Sequence, residues 1–120
     1  MHVVHICLRG SADHFDQDAY AAPSGEAFAI EITNAAFTAS GEPLRGTIAI
    51  SRASHPARAT VPGRPHMWTY KARKAIFVAP AVTAPNTRTV EVQALEPGRY
   101  VLQDIDGVSH ASDAVLIVGP

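Results

Sequence analysis

The chain has 120 residues, of which 47% are apolar and 18% charged, with a formal net charge of −1. That length bounds one domain of ordinary size with a real core. The balance of apolar and charged residues excludes a disordered segment, and the near-neutral charge argues against nucleic acid or a membrane surface as partner. Cys7 is the only cysteine, which excludes an internal disulfide and any paired-cysteine zinc or redox motif.

Reading from the start, Met1-His2-Val3-Val4-His5 has no basic region followed by an apolar one, so it is not a signal peptide. The chain is therefore expected to be cytoplasmic, or else periplasmic or extracellular as a mature form. No apolar run approaches the ~18 residues of a membrane span. Val3–Leu8 is a β-rich run. Ala12–Tyr20 holds at most a short turn with helical character. Glu26–Thr33 alternates, with Phe28, Ile30 and Ile32 opposite in phase to Glu31 and Thr33. Gly46–Ser51 alternates cleanly. Met67–Tyr70 and Ala75–Val78 follow, and Thr89–Ala94 places Val90 and Val92 on one face. Arg99–Gln103 and Ala114–Val118 end the series. Nine prolines and eight glycines punctuate these runs and leave no long window for a helix. About eight short strands with turns between them predict an all-β sandwich or barrel.

Residues 52–74 differ from the rest. They carry Arg52, Arg58, Arg64, Lys71, Arg73 and Lys74 and no acid. The plain reading is an irregular, solvated excursion. The sharper one is a docking patch for an acidic partner or an anionic ligand, built from Arg58, Arg64, Lys71, Arg73 and Lys74. Aromatic residues are too sparse there for nucleic acid.

Leu95-Glu96-Pro97-Gly98-Arg99-Tyr100 is the most informative stretch. Pro97 pre-sets a turn, and Gly98 takes the positive φ that follows. Tyr100 then opens an apolar strand. A tyrosine so placed folds back over the turn and bonds a backbone group upstream, the tyrosine corner of Greek-key sandwiches.

Here a family resemblance becomes visible. Glu26–Asn34 resembles the cupredoxin strand written G-D-x-V-x-[IV]-x-[IV]-x-N. Pro97–Asp104, a loop and Ala114–Val118 are similar to the cupredoxin C-terminal hairpin, which runs from a P-G-x-Y turn through a ligand loop into the last strand. Arg64-Pro65-His66-Met67 echoes a ligand segment of copper nitrite reductases and multicopper oxidases, whose domains the spacing most resembles. The likeness covers both ends of the chain well and the middle poorly. It implies a single cupredoxin-like Greek-key β-sandwich over residues 1–120.

The departures matter more than the matches. Blue copper needs one thiolate, two imidazoles and a weak axial ligand. The resemblance puts Asp104 where the family carries its cysteine, His110 is the sole histidine of the following loop, and no methionine follows it. Cys7, placed near the start of the first strand, is expected to lie away from that loop. A blue-copper site is thus not expected, nor the electron transfer that goes with it.

The resemblance would bring His66 and His110 together at one end of the sandwich, where Asp104, Asp106 and Asp113 flank His110. A set of two imidazoles and a carboxylate, here His66, His110 and Asp104, suits a non-blue copper, a zinc or a non-haem iron ion. The plain alternative is that these loop histidines are merely solvated. His2 would join a copper chelate only if it became the first residue after cleavage, with a second histidine elsewhere, since His5 does not suit. His14 has no constellation around it. No serine hydrolase elbow or phosphate-cradling glycine loop is present.

The expectation is a binding or assembly domain without a blue-copper site, holding a non-blue metal through loop histidines. One alternative is a copper-dependent oxidoreductase of nitrite-reductase or oxidase type that shares ligands across subunits. The other is a purely structural sandwich. The partners expected are a protein or a second copy of the chain, with no nucleic acid and no membrane span.

Overall fold

The computed structural model describes residues 1–10, 14–52, 58–61, 64–70, 75–105 and 114–119, with the backbone alone at 14, 58–61 and 64–70. Its strands, in chain order, are β1 (Val3–Gly10), β2 (His14–Phe15), β3 (Ala19–Pro23), β4 (Phe28–Ala36), β5 (Arg45–Gly46), β6 (Ile48–Arg52), β7 (Arg58–Val61), β8 (Arg64–Tyr70), β9 (Phe77–Val78), β10 (Val82–Thr83), β11 (Thr87–Val92), β12 (Gly98–Asp104) and β13 (Ala114–Gly119). Among the described residues there is no helix, so none that is long and apolar enough to cross a membrane.

Two sheets make the sandwich, in the orders β11-β4-β1-β2 and β3-β13-β12-β6-β9. The pairs β1–β4 and β3–β13 are parallel and the other pairs in these sheets antiparallel. Neighbours in space are thus seldom neighbours in sequence, as Greek-key connections require. This is the expected all-β sandwich. Two further pairs stand apart as small sheets, β10–β5 and β7–β8.

The core follows from alternation along each strand. Val4, Ile6 and Leu8 of β1 are buried, as are Phe28, Ile30 and Ile32 of β4. Facing them are Ile48 and Ile50 of β6, Leu102 of β12 and Leu116 and Val118 of β13. All belong to one cluster. Each such side chain, fully buried, stabilises the fold by about 1.5–3 kcal/mol.

Four sequence expectations change. In its described part, the turn expected over Ala12–Tyr20 is β2 and the beginning of β3, where Ala19 and Ala21 are exposed while Tyr20 and Ala22 are buried. That is the period of two of a strand, not of a helix. Residues 52–74 were expected to hold one strand, Met67–Tyr70, within an otherwise irregular excursion; that strand is part of β8, and Arg58–Val61 adds a second strand paired with it, with Arg58 opposite Tyr70 and a register shift between Thr60 and Val61. The run Gly46–Ser51 is two strands: Gly46 pairs with Val82 of β10, whereas Ile48 pairs with Asp104 of β12. Finally, the strands exceed the eight expected, because several are two-residue pieces too short to show a pattern.

Candidate functional site at one end of the sandwich

On β12 the core-facing positions are Tyr100, Leu102 and Asp104, every second residue. On β4 they are Phe28, Ile30, Ile32 and Asn34. Both series are apolar until a polar residue closes them. Register places these two residues at one end, since Asn34 pairs with Leu8 and Asp104 with Ile48. The two sheets therefore meet there through polar groups, while the rest of their shared face is apolar.

Each polar group has work to do. Asn34 is fully buried, and its Nδ2 donates to the carbonyls of Leu44 at 3.0 Å and Val82 at 2.8 Å. Its Oδ1 accepts from the amide of Ala36 at 3.0 Å. Asp104 Oδ1 accepts from the Thr47 amide at 2.9 Å, and the Thr47 carbonyl accepts from the Ile105 amide at 2.9 Å. Thr47 is the one residue between β5 and β6, where the chain leaves one sheet for another. Gly46 lies against this group: a Cβ there would stand 2.6 Å from Leu8 Cδ1, 3.3 Å from Asp104 Oδ2 and 3.4 Å from Asn34 Nδ2. Only glycine lets the backbone come so close.

Cys7 has a different outlook. It is the fifth residue of β1, not near its start as expected. It precedes Leu8, whose side chain reaches Gly46 at the polar end. The pleat turns neighbouring side chains to opposite faces, so the thiol points outward while Leu8 points in. There Arg9 Nε donates to Cys7 Sγ at 3.4 Å. The separation of the thiol from Asp104 comes from the pleat, not from distance along the strand. Beside it Asp16 Oδ1 accepts both the Cys7 amide, at 3.1 Å, and the Tyr20 hydroxyl. Burial, then the bond to Asp16, pushes the Tyr20 phenol well above the ordinary tyrosine range.

Of the other candidates, His66 and Arg64 lie on β8 and Arg58 on β7, where the backbone alone is described. His110, Asp106, Asp113, Lys71, Arg73 and Lys74 fall outside the described residues. His2 Nε2 lies 3.2 Å from the Ala21 carbonyl oxygen, and His5 Nδ1 lies 3.1 Å from Glu31 Oε1. Among the described residues, no three histidine, cysteine, aspartate or glutamate side chains converge as a metal-holding group. The sequence reading gave no role to Thr47 or Gly46. A glycine inside an alternating run was the available sign of a close backbone approach.

No protein-family model matches the sequence, and no curated protein matches it. Solved structures do match. Dithionite-reduced auracyanin from the photosynthetic bacterium Roseiflexus castenholzii superimposes with a TM-score of 0.69 at 16% identity, over 100% of this chain and 98% of that one. Auracyanin B gives 0.68 at 15%, over 99% and 89%. Auracyanin A, a "blue" copper protein from Chloroflexus aurantiacus, gives 0.67 at 16%, over 98% of each.

The fold is that of the cupredoxins. At these identities the likeness reaches no further than fold, and it does not bear on the narrower resemblance to nitrite-reductase or oxidase domains. A blue-copper centre does not fit these residues. The chain's sole thiol faces outward on β1, and the inward position at the end of β12 carries a carboxylate already bonded to the Thr47 amide. A carboxylate offers a hard oxygen where the blue site requires a soft thiolate.

Proposed function

We propose that the chain is a cupredoxin-fold binding domain that does not perform blue-copper electron transfer. The observation that carries this reading is the inward-facing Asp104, bonded to the Thr47 amide at 2.9 Å, in a chain whose one thiol faces the other way. In this reading the domain takes a non-blue ion, Cu(II) or Zn(II), through His66 and His110, with Asp104 as the oxygen donor. Imidazole and carboxylate accept both ions. The ion would supply a fixed positive charge and Lewis acidity at the end of the sandwich. Arg58, Arg64, Lys71, Arg73 and Lys74 form the face toward an acidic protein partner. In support, Arg58 and Arg64 stand on a hairpin that, among the described residues, pairs as a two-stranded sheet of its own.

The test is metal loading of untagged protein, with Cu(II) and Zn(II) titrated separately. One ion should bind per chain, and His66→Ala and His110→Ala should each weaken it by at least the roughly 10–100-fold that even an outer-shell partner costs. The copper form should lack the intense visible absorption of a copper thiolate; its appearance would refute the absence of a thiolate site. Two histidine variants that bind like the parent would leave an interaction module without metal.

A further inference from the structure

The amide of Thr47 presents a structural problem. Gly46 is hydrogen-bonded into the β5–β10 pair and Ile48 into the sheet of β12, so the residue between them changes partners. Thr47 is itself buried. A buried amide with no acceptor costs about 1–3 kcal/mol. The Thr47 carbonyl extends the β6–β12 pairing by accepting the Ile105 amide, while its amide turns to a side-chain acceptor. That acceptor is Asp104, the last residue of β12, whose ladder partner Ile48 is next to Thr47.

We infer that Asp104 is a built-in staple: its carboxylate closes the sheet-switching corner at Thr47 and fixes this end of the sandwich with no metal required. Three observations converge on it. Oδ1 accepts the Thr47 amide at 2.9 Å. The Ile105 amide bonds the Thr47 carbonyl at 2.9 Å, so the corner is gripped through both of its backbone groups. Gly46 leaves open the space into which Asp104 Oδ2 and Asn34 Nδ2 project. Asn34 meanwhile anchors the carbonyls of Leu44 and Val82, on the two segments that flank the corner. A metal that binds only the folded state adds stability by mass action. A carboxylate to amide bond supplies its stabilisation at all times, and a hydrogen bond to a charged group is among the stronger kinds. The bond to Thr47 is made by Oδ1 alone, so the staple holds whether or not an ion joins at the neighbouring loop. The inference rests on the fold and on this hydrogen bond, and is independent of the metal proposed above.

Amide hydrogen exchange on the full chain in EDTA tests it, read at Thr47 against the core amide of Leu102. In the metal-free parent the Thr47 amide should be protected. In Asp104→Ala it should exchange at least about tenfold faster after correction for any change at Leu102, as expected for loss of a charged hydrogen bond. In Asp104→Asn, whose amide oxygen still accepts but without the charge, it should exchange faster than in the parent by about three- to tenfold and more slowly than in Asp104→Ala. Protection at Thr47 that appears only after Cu(II) or Zn(II) is added would overturn the inference. So would an Asp104→Ala variant with Thr47 protection equal to the parent's. If Asp104→Ala does not fold, the parent in EDTA and Asp104→Asn decide alone: an unprotected Thr47 amide in the parent, or exchange in Asp104→Asn outside that range, overturns the staple. Metal titration reads none of these quantities, so the two proposals fail separately.

Discussion

The two ends of β12 solve the same problem with different means. At the first end the Tyr100 hydroxyl donates to the Glu96 carbonyl at 2.7 Å, four residues upstream. At the other, the Asp104 carboxylate accepts from the Thr47 amide, 57 residues away in sequence. Tyr100, Leu102 and Asp104 share one face, so one strand carries a local lock at its start and a long-range lock at its end. A local lock stabilises a turn. A long-range lock fastens β12 to the start of β6, and it forms only when these two strands have met.

The comparison is broken or sharpened by substitution, and the largest effect is expected at the long-range end. Asn34→Ala removes three hydrogen bonds from a fully buried site. It should cost on the order of 3 kcal/mol in urea unfolding, since partners are left buried without a bond. A loss below that of Tyr100→Phe would show that the polar end is no more than decoration. Gly46→Ala comes next. Its methyl would overlap Leu8 Cδ1, whose side chain is fully buried, and overpacking of this kind costs about 1–3 kcal/mol. A neutral result would mean that Leu8 can swing aside and that the corner is loose. Tyr100→Phe keeps the ring in the core and deletes only the local bond, so about 1 kcal/mol is expected from the unfolding midpoint.

The smallest effect at neutral pH concerns a third lock, the bond from the Tyr20 hydroxyl to Asp16. The folded state raises this phenol's pKa above its unfolded value. Its contribution is therefore complete below the unfolded value of about 10 and is lost as pH rises beyond it. Ultraviolet titration should show one phenol ionising later than a free tyrosine, and Tyr20→Phe should remove that late phase. A late phase that survives in Tyr20→Phe would assign the delayed ionisation to another tyrosine.

The same contrast explains what the sequence disclosed. The corner at Tyr100 was readable because all its parts, from Glu96 to Tyr100, are contiguous, and turn chemistry is local. Burial of Ile30, Ile32, Ile48 and Ile50 was readable from alternation. The sheet switch at Thr47 was not. Side-chain alternation continues through Gly46–Ser51 while the hydrogen-bond partner changes, and alternation reports faces, not partners. Asp104 was singled out as a metal ligand through its neighbours in the Pro97–Asp104 run, whereas its bond to Thr47 depends on a pairing no local pattern encodes. The outward turn of Cys7 was implicit in Val4, Ile6 and Leu8, whose phase excludes it from the core. Of the hairpin β7–β8, Met67–Tyr70 was readable as a strand, but its partner was hidden by charge: Arg58 and Arg64 suggested a solvated loop, although Thr60-Val61 favours a strand.

The parallel pairing of β3 with β13 has a consequence for biosynthesis. A ribosome releases Ala19–Pro23 long before Ala114–Gly119, and among the described residues that later segment is the one strand hydrogen-bonded to the earlier. Tyr20 and Ala22 must wait with their apolar surface uncovered. The nascent chain is thus most prone to clumping just before its final strand arrives, which is also the moment when a chaperone would do the most good.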